Sequence, residues 1–204
     1  MKDLPVPQFK QETEYGCIPA CLQQVFAYYN KQISQKEILN SLGKPERGMS
    51  IPAAGAFVKK RGLNPTIVTN NTTIFDSAWF NIGNKKLMQR LEERKNLLNE
   101  YNQSVVEDYI EYLRIEGQIN FDTISKDLLT KNLSKNVPII IELSRGIKGH
   151  GVVIAGFDKN KFKIIDPDPN NPYDKSGIYW IPAEELLMSF SILEGRSLLS
   201  ISGN

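Results

Sequence analysis

The pattern of apolar and polar positions divides the chain into a helix-rich first half and a strand-rich second half. In the first half, apolar residues recur every three to four positions, which is the spacing of one buried helix face. Ser34 followed by Glu37 is the capping-box pattern that marks a helix start, and Gly62 follows a third periodic stretch as its end signal. The predicted elements here are helices at Cys17–Tyr29, Ser34–Gly43 and Pro52–Lys60 and a short strand at Thr66–Thr69.

Residues Lys85–Glu116 form a separate amphipathic segment between the two halves. Leucine, tyrosine and valine side chains repeat every three to four positions with charges between them, which predicts a long helix or a helical pair. We place a helical insertion at about residues 76–118 that packs on the core and can overhang a site there. Two interpretations stay open for it: a solvated structural helix, or a substrate lid or surface for a protein partner.

In the second half, the apolar period changes from that of helices to that of strands. Val137–Leu143 predicts a buried strand, with Pro138 near its start, where strand prolines are tolerated. Gly151–Phe157 and Lys161–Ile165, joined by the polar turn Asp158–Asn160, predict a β-hairpin. The remaining predicted elements are strands at Gly177–Ile181 and Leu198–Ile201 and a short helix at Ala183–Phe190. We therefore expect N-terminal helices packed on a C-terminal antiparallel sheet, which is an α+β architecture.

Composition and charge indicate one globular domain with no nucleic-acid partner. The 204 residues are 41% hydrophobic, enough for a single domain over residues 1–204. The 25 basic and 23 acidic residues give a net charge of only +2, and the basic residues are scattered rather than clustered. No apolar run reaches the ~18 residues of a membrane span. Because the first residues also lack an apolar signal core, we expect a cytoplasmic protein.

The two cysteines, Cys17 and Cys21, are predicted to be reduced thiols. They lie one turn apart on one predicted helix, where a disulfide would strain the backbone. A zinc site that combined them with His150 would need a fourth ligand or an open position, and neither the spacing nor the flanking residues indicate one. We expect no metal and no cofactor.

Cys17 and His150 are the candidate nucleophile and base. The thiolate form of cysteine is the nucleophile, and a thiol is mostly protonated at neutral pH. Cys17 lies where a helix is predicted to begin, and the positive end of the helix dipole favours the thiolate. A nearby imidazolium would favour it further. His150 is the only histidine in the chain, so any such site must use it.

Asp166 is the candidate carboxylate that orients His150. The two residues are separated by an even number of positions across the predicted hairpin. If the numbers of two residues paired across the hairpin add up to an even number, both side chains lie on one face of the sheet. The carboxylate can accept the imidazole N–H and fix the tautomer, as in a catalytic triad. Asp168 has the same parity and is the competing candidate.

Gln11 is the candidate oxyanion donor. It precedes Cys17 by six residues, so a short loop could bring its side-chain amide beside the backbone N–H of Cys17. Two donors aimed at one point form an oxyanion hole, which stabilises the charge of an acyl-transfer intermediate. The alternative is an ordinary surface glutamine, and the hypothesis depends on all four residues occurring together.

Short motifs in this chain resemble the papain-like bacteriocin-processing cysteine peptidases, which are the double-glycine leader peptidases and their stand-alone relatives. The motifs are Gln11-x5-Cys17-x3-Cys21-Leu22, Gly149-His150-Gly151-Val152-Val153-x2-Gly156-Phe157-Asp158, and Ile165-Asp166-Pro167. The stretch Asn132–Leu143 also looks like the strand that precedes the histidine in that family. The resemblance covers roughly residues 8–68 and 120–202 and leaves the helical insertion unmatched.

This resemblance implies a papain-like fold, with the cysteine on a helix packed against an antiparallel sheet. The roles that it implies are Cys17 as nucleophile, His150 as general base and acid, Asp166 as orienting carboxylate and Gln11 as oxyanion donor. The function expected first is therefore a cysteine peptidase or amidase-like hydrolase acting on a peptide or amide substrate. An acyltransferase or transglutaminase-like enzyme could use the same triad.

The residues beside Cys17 depart from the family pattern. The family usually has aspartate before the cysteine and glycine after it, whereas here Tyr15 and Gly16 precede the cysteine and Ile18 follows it. This departure leaves open how substrate binds near the nucleophile. With the unmatched insertion, it keeps a third hypothesis open, a non-catalytic peptide-binding module with the same fold.

Overall fold

One mixed sheet carries the fold of the computed structural model, which describes residues 1–42, 45–145, 148–193 and 195–203. Its strands are β1 (Lys2–Asp3), β2 (Asn64–Thr69), β3 (Gln118–Phe121), β4 (Ile139–Arg145), β5 (Lys148–Asp158), β6 (Lys161–Ile165), β7 (Ile178–Pro182) and β8 (Ser197–Ser202). Their order across the sheet is β3-β2-β8-β4-β5-β6-β7, and β1 pairs with β5. The central strands β4 and β5 are fully buried over most of their length, so the core lies at the middle of the sheet.

The helices cover the sheet and begin mostly where the sequence provides a cap. They are α1 (Cys17–Tyr28), α2 (Gln35–Asn40), α3 (Ile51–Lys60), α4 (Asn84–Lys95), α5 (Glu100–Arg114), α6 (Lys126–Ser134) and α7 (Ala183–Ser191). The side chain of Ser34 accepts the N–H of Glu37, so the capping box forms at α2. Ser50 caps α3 in the same way. The predicted end of the second helix, Gly43, lies outside the described residues.

The α+β class is confirmed, but the sheet is not wholly antiparallel. The pair β2–β3 is parallel, with Ile67 opposite Ile119, and the other pairs are antiparallel. The physical reason is the connection: α4 and α5 lie between β2 and β3 in the chain, and a helical crossover of this length returns the chain in the same direction. Strand β2, from the first half, and β3, which follows the amphipathic segment, therefore extend the sheet at one edge.

The amphipathic segment folds as a helical pair, α4 and α5, rather than as one long helix. Helix α5 is anchored in the core by Tyr112, which is fully buried and donates its hydroxyl hydrogen to the Pro65 carbonyl at 2.9 Å. A Cβ at Gly117 would lie 2.5 Å from the Tyr112 ring, so this glycine makes room for the anchor. The apolar face of α5 is thus part of the domain core, while its polar face is left for the cleft described below.

No helix in the described part of the chain combines the length and the apolar character that crossing a lipid bilayer requires.

Candidate active site

Cys17 is the first residue of α1 and is partly buried. Gly16 occupies the N-cap position and supplies no side-chain cap. Among the described residues, the backbone N–H of Cys17 has no hydrogen-bond partner, as is common in the first turn of a helix. The thiol therefore lies at the positive end of α1, beside a free N–H donor.

Helix α1 approaches β5 very closely at the nucleophile. A Cβ built on Gly151 would lie 2.4 Å from Cδ1 of Ile18, the residue after Cys17. A side chain at position 151 would therefore force the buried Ile18 side chain to move, so Gly151 allows α1 to lie this close to β5. At this separation, the Cys17 side chain lies close enough to His150, the residue before Gly151, to raise the pKa of its imidazole.

His150 and Asp166 form a buried hydrogen-bonded pair. Nε2 of His150 lies 2.7 Å from Oδ1 of Asp166, so Nδ1 of the ring is the nitrogen left for Cys17. Burial lowers the pKa of His150, but the hydrogen bond with Asp166, the interaction with Cys17 and the charges of both outweigh it and raise the pKa to about 9. The imidazolium form is therefore favoured at neutral pH.

A β-bulge in the hairpin brings His150 and Asp166 to one face. Near the turn Asp158 pairs with Lys161, and the numbers of these paired residues add up to an odd number. If this register continued along the hairpin, His150 and Asp166 would lie on opposite faces of the sheet. The register shifts between Ile154 and Gly156, so that Val153 pairs with Ile165 in a register with an even sum. One extra residue on β5 thus restores the parity that the contact requires.

Asp168, the competing candidate, does not contact His150. One of its carboxylate oxygens lies 3.0 Å from Nη1 of Arg145, and the other accepts the N–H of Asn170 at 2.8 Å. Its own N–H donates to Asp166 at 2.9 Å. Asp168 therefore supports Asp166 instead of replacing it.

Gln11 lies in the loop that leads to the nucleophile, with its amide turned onto that loop. Its N–H₂ donates to the carbonyls of Thr13 at 3.1 Å and Glu14 at 3.5 Å. Its backbone N–H donates to the carbonyl of Pro167 at 2.8 Å, which ties the loop to the segment after Asp166. The side-chain Oε1 is buried and has no partner among the described residues.

Cys21 is fully buried one turn after Cys17. Burial raises the pKa of its thiol well above the ordinary value, so it stays protonated and behaves as a small apolar core residue. The two cysteines are free thiols.

A cleft of about 790 Å³ opens beside Cys17. Helix α5 forms one wall with Tyr101, Ser104 and Asp108, and β4 contributes Glu142. Burial raises the pKa of Glu142 to about 7, although the charge of His150 lowers it. The helical insertion therefore borders the space in front of the nucleophile.

Sequence reasoning missed three residues around the site: Arg145, Tyr179 and Glu142. Arg145 and Tyr179 both bond the Asp166 carboxylate, and Glu142 lines the cleft. The strand period of Val137–Leu143 placed Glu142 on a strand but not beside the cleft. Arg145 and Tyr179 reach Asp166 from strands on either side of the β5–β6 hairpin, and no local motif records such a contact.

The chain is similar in sequence to one peptidase family and in fold to solved peptidase domains. Residues 3–197 match the model of the Peptidase_C39 like family. A double glycine motif protease from an AMS/PCAT transporter, solved with the leader peptide, is similar in structure with a TM-score of 0.56 at 18% identity, covering 100% of this chain and 95% of that chain. The peptidase domain of Streptococcus ComA is similar in structure with a TM-score of 0.54 at 15% identity, and the match covers 98% of this chain and 99% of that chain. Among curated protein sequences, none matches this chain.

Proposed function

Because the chain belongs to the Peptidase C39-like family and is a cysteine peptidase-like hydrolase, we propose that Cys17, His150 and Asp166 are its catalytic residues. The observation that carries the proposal is the buried hydrogen bond of 2.7 Å between His150 and Asp166, with the Cys17 thiol close enough to the imidazole to raise its pKa. Cys17 lines the cleft, so the carbonyl of a bound substrate could reach its sulfur.

In the acylation step, the Cys17 thiolate attacks the carbonyl carbon of a peptide or amide bond. A C–S bond forms and the carbonyl oxygen takes the negative charge. The backbone N–H of Cys17, which has no partner among the described residues, is one donor for this oxyanion. Gln11 is the proposed second donor, which requires its amide to leave the carbonyls of Thr13 and Glu14.

His150 carries the proton through the two steps. The imidazolium gives its proton to the leaving amine as the C–N bond breaks, and this leaves a thioester and a neutral imidazole. The imidazole then takes a proton from water while the hydroxide oxygen attacks the thioester carbonyl. When the C–S bond breaks, the acid leaves and the thiolate–imidazolium pair is restored. Asp166 holds the ring and stabilises its charge throughout.

A peptide is the proposed substrate class. The cleft has room for several residues of an extended chain, and one similar structure was solved with a leader peptide in place. Acyl transfer to an amine is the second candidate, because Asp108 and Glu142 place carboxylates where a cationic acceptor could lie. Product analysis with and without an added amine separates hydrolysis from transfer.

The test is the rate of iodoacetamide alkylation at Cys17 as a function of pH, resolved from Cys21 by peptide mass spectrometry. In the wild type, we expect rapid alkylation at pH 6–7, where an ordinary thiol of pKa ~8.5 is only a few per cent ionised at most. His150→Ala should lose this reactivity at least tenfold while its melting transition persists. Equal rates in the two proteins would reject the proposed pair, and Cys21→Ala is the control that should leave the profile unchanged.

A further inference from the structure

The carboxylate of Asp166 is saturated by four hydrogen bonds. On Oδ1 it accepts from Nε2 of His150 at 2.7 Å and from the Asp168 N–H at 2.9 Å. On Oδ2 it accepts from Nη2 of Arg145 at 2.5 Å and from the Tyr179 hydroxyl at 2.8 Å. The side chain is fully buried, so these donors replace water entirely and fix which oxygen faces the imidazole.

Arg145 is itself held in a fixed geometry. Its second guanidinium nitrogen, Nη1, donates to Oδ2 of Asp168 at 3.0 Å, so the planar group spans two carboxylates. The side chain is only 22% exposed, which limits screening of its charge by solvent. A lysine carries the same charge on a single nitrogen and cannot reproduce both bonds in one plane.

Tyr179 is held by its own neighbours on the other side of the hairpin. Its ring stacks on Tyr173 with centroids 4.5 Å apart, and the Tyr173 hydroxyl donates to Glu185 of α7 at 2.6 Å. Burial and the Asp166 carboxylate raise the pKa of Tyr179, so the phenol stays protonated. It can therefore act only as a donor toward Asp166.

We propose that Arg145 and Tyr179 are positioning residues of this hydrolase, which hold Asp166 in line with His150 and limit how tightly the carboxylate retains the imidazolium proton. The inference rests on the proposed function, because it assigns a role relative to the proposed triad. A carboxylate whose charge is shared with a guanidinium and a phenol is a weaker base toward the imidazolium. The proton is then more readily passed to a leaving amine.

The groups that determine this balance come from several elements. Facing His150 are Cys17 of α1, Asp166, and Glu142 of β4. Facing Asp166, besides His150, are Arg145 of β4, Tyr179 of β7 and the backbone N–H of Asp168. Arg145 and the imidazolium are cations in this set, so removing the guanidinium should stabilise the imidazolium.

Because His150 is the only histidine in the chain, NMR titration of its ring reports this balance without assignment. In Arg145→Ala we expect the His150 titration to move upward by about one unit, a tenfold tighter hold on the proton. Tyr179→Phe should move it upward by less, since it removes a donor but no charge. Arg145→Lys should restore most of the wild-type value because it keeps the charge.

The control is Lys163→Ala. Lys163 lies away from the triad, with its Nζ 2.6 Å from Oδ1 of Asp3, so its removal should leave the His150 titration unchanged. If Arg145→Ala does not fold, the Tyr179→Phe protein decides. A folded Arg145→Ala or Tyr179→Phe protein that titrates as wild type would overturn the inference. If instead wild-type Cys17 alkylation is independent of His150, the proposed function itself fails.

Discussion

At position 151, the absence of a side chain determines how close the nucleophile comes to its base. Helix α1 rests on β5 through Ile18, and the contact leaves no room for a methyl group on Gly151. The adjacent residues on either side of this contact are Cys17 and His150. A steric change of one carbon atom is therefore transmitted directly to the thiol–imidazole distance, which is where small misplacements cost most activity.

Gly151→Ala should lower Cys17 alkylation at pH 7 by about tenfold or more and destabilise the fold by ~1–3 kcal/mol, because the buried Ile18 must move. Gly149→Ala is the matched control on the same strand. Its Cβ would meet only an ordinary contact at 3.5 Å, with Oε1 of Glu142, and labelling should stay within twofold of wild type. Adding Ile18→Val to Gly151→Ala should recover part of the loss, and no recovery would argue against the steric explanation.

At the scale of elements, helix α5 both packs in the core and lines the cleft. Its apolar face completes the core through Tyr109 and Tyr112, which are buried, and its polar face lines the cleft beside Cys17. Tyr109 exchanges a hydrogen bond with Ser197 of β8 at 2.9 Å, so the cleft wall is tied to the sheet. Because the wall is anchored in the core, substitutions on its polar face can change access to the cleft without unfolding the domain.

Ser104→Trp should narrow the cleft in front of Cys17. We expect alkylation by iodoacetamide to stay within about threefold of wild type, because the reagent is small, and labelling by a polymer-linked maleimide to slow about tenfold. Glu107→Trp, on the same helix but at an exposed position, is the control for the added indole. Equal slowing of both reagents in Ser104→Trp would indicate a distorted nucleophile instead of a blocked entrance.

For the whole molecule, two groups at the site couple stability to pH in the same direction. Burial raises the pKa of Glu142 to about 7 from its unfolded value of 4.5, so the native state binds the extra proton in that interval. Stability is therefore lost as pH rises from 4.5 to 7. The hydrogen bond with Asp166 and the interaction with Cys17 raise the pKa of His150 from 6.5 to about 9, so its contribution to stability is full below pH 6.5 and is lost as the pH rises to 9.

Glu142→Gln should remove the first of these two effects. We expect the fall in the free energy of unfolding between pH 5 and pH 7.5, measured by urea titration, to shrink by about 2 kcal/mol relative to wild type. Glu93→Gln, an exposed glutamate on α4, should leave the fall unchanged. A Glu142→Gln protein with the wild-type pH dependence would show that this carboxyl titrates normally in the folded protein.

The limits of prediction from sequence follow from the range of the interactions involved. Local signals were sufficient for the start of α2, since Ser34 and Glu37 are neighbours in the chain. The parallel pairing of β2 with β3 could not be predicted, because strand direction depends on how the intervening helices return the chain. The donors Arg145 and Tyr179 could not be predicted for a similar reason. Each lies more than ten residues from Asp166 in the chain, and the periodic patterns of helices and strands do not predict contacts over that separation.

The bulge on β5 also has a consequence for how the length of this hairpin can vary. The carbonyl of the extra residue, Ala155, accepts the N–H of Leu4 at 2.7 Å, so the irregularity is stabilised by the N-terminal segment. Adding or removing one residue in the paired strands between His150 and Asp166 moves one of these two side chains to the opposite face of the sheet. A change of two residues keeps both side chains on the same face. Within these two strands a change of length is therefore compatible with the site only in even steps, whereas the turn after Asp158 can take up an extra residue without changing the strand pairing.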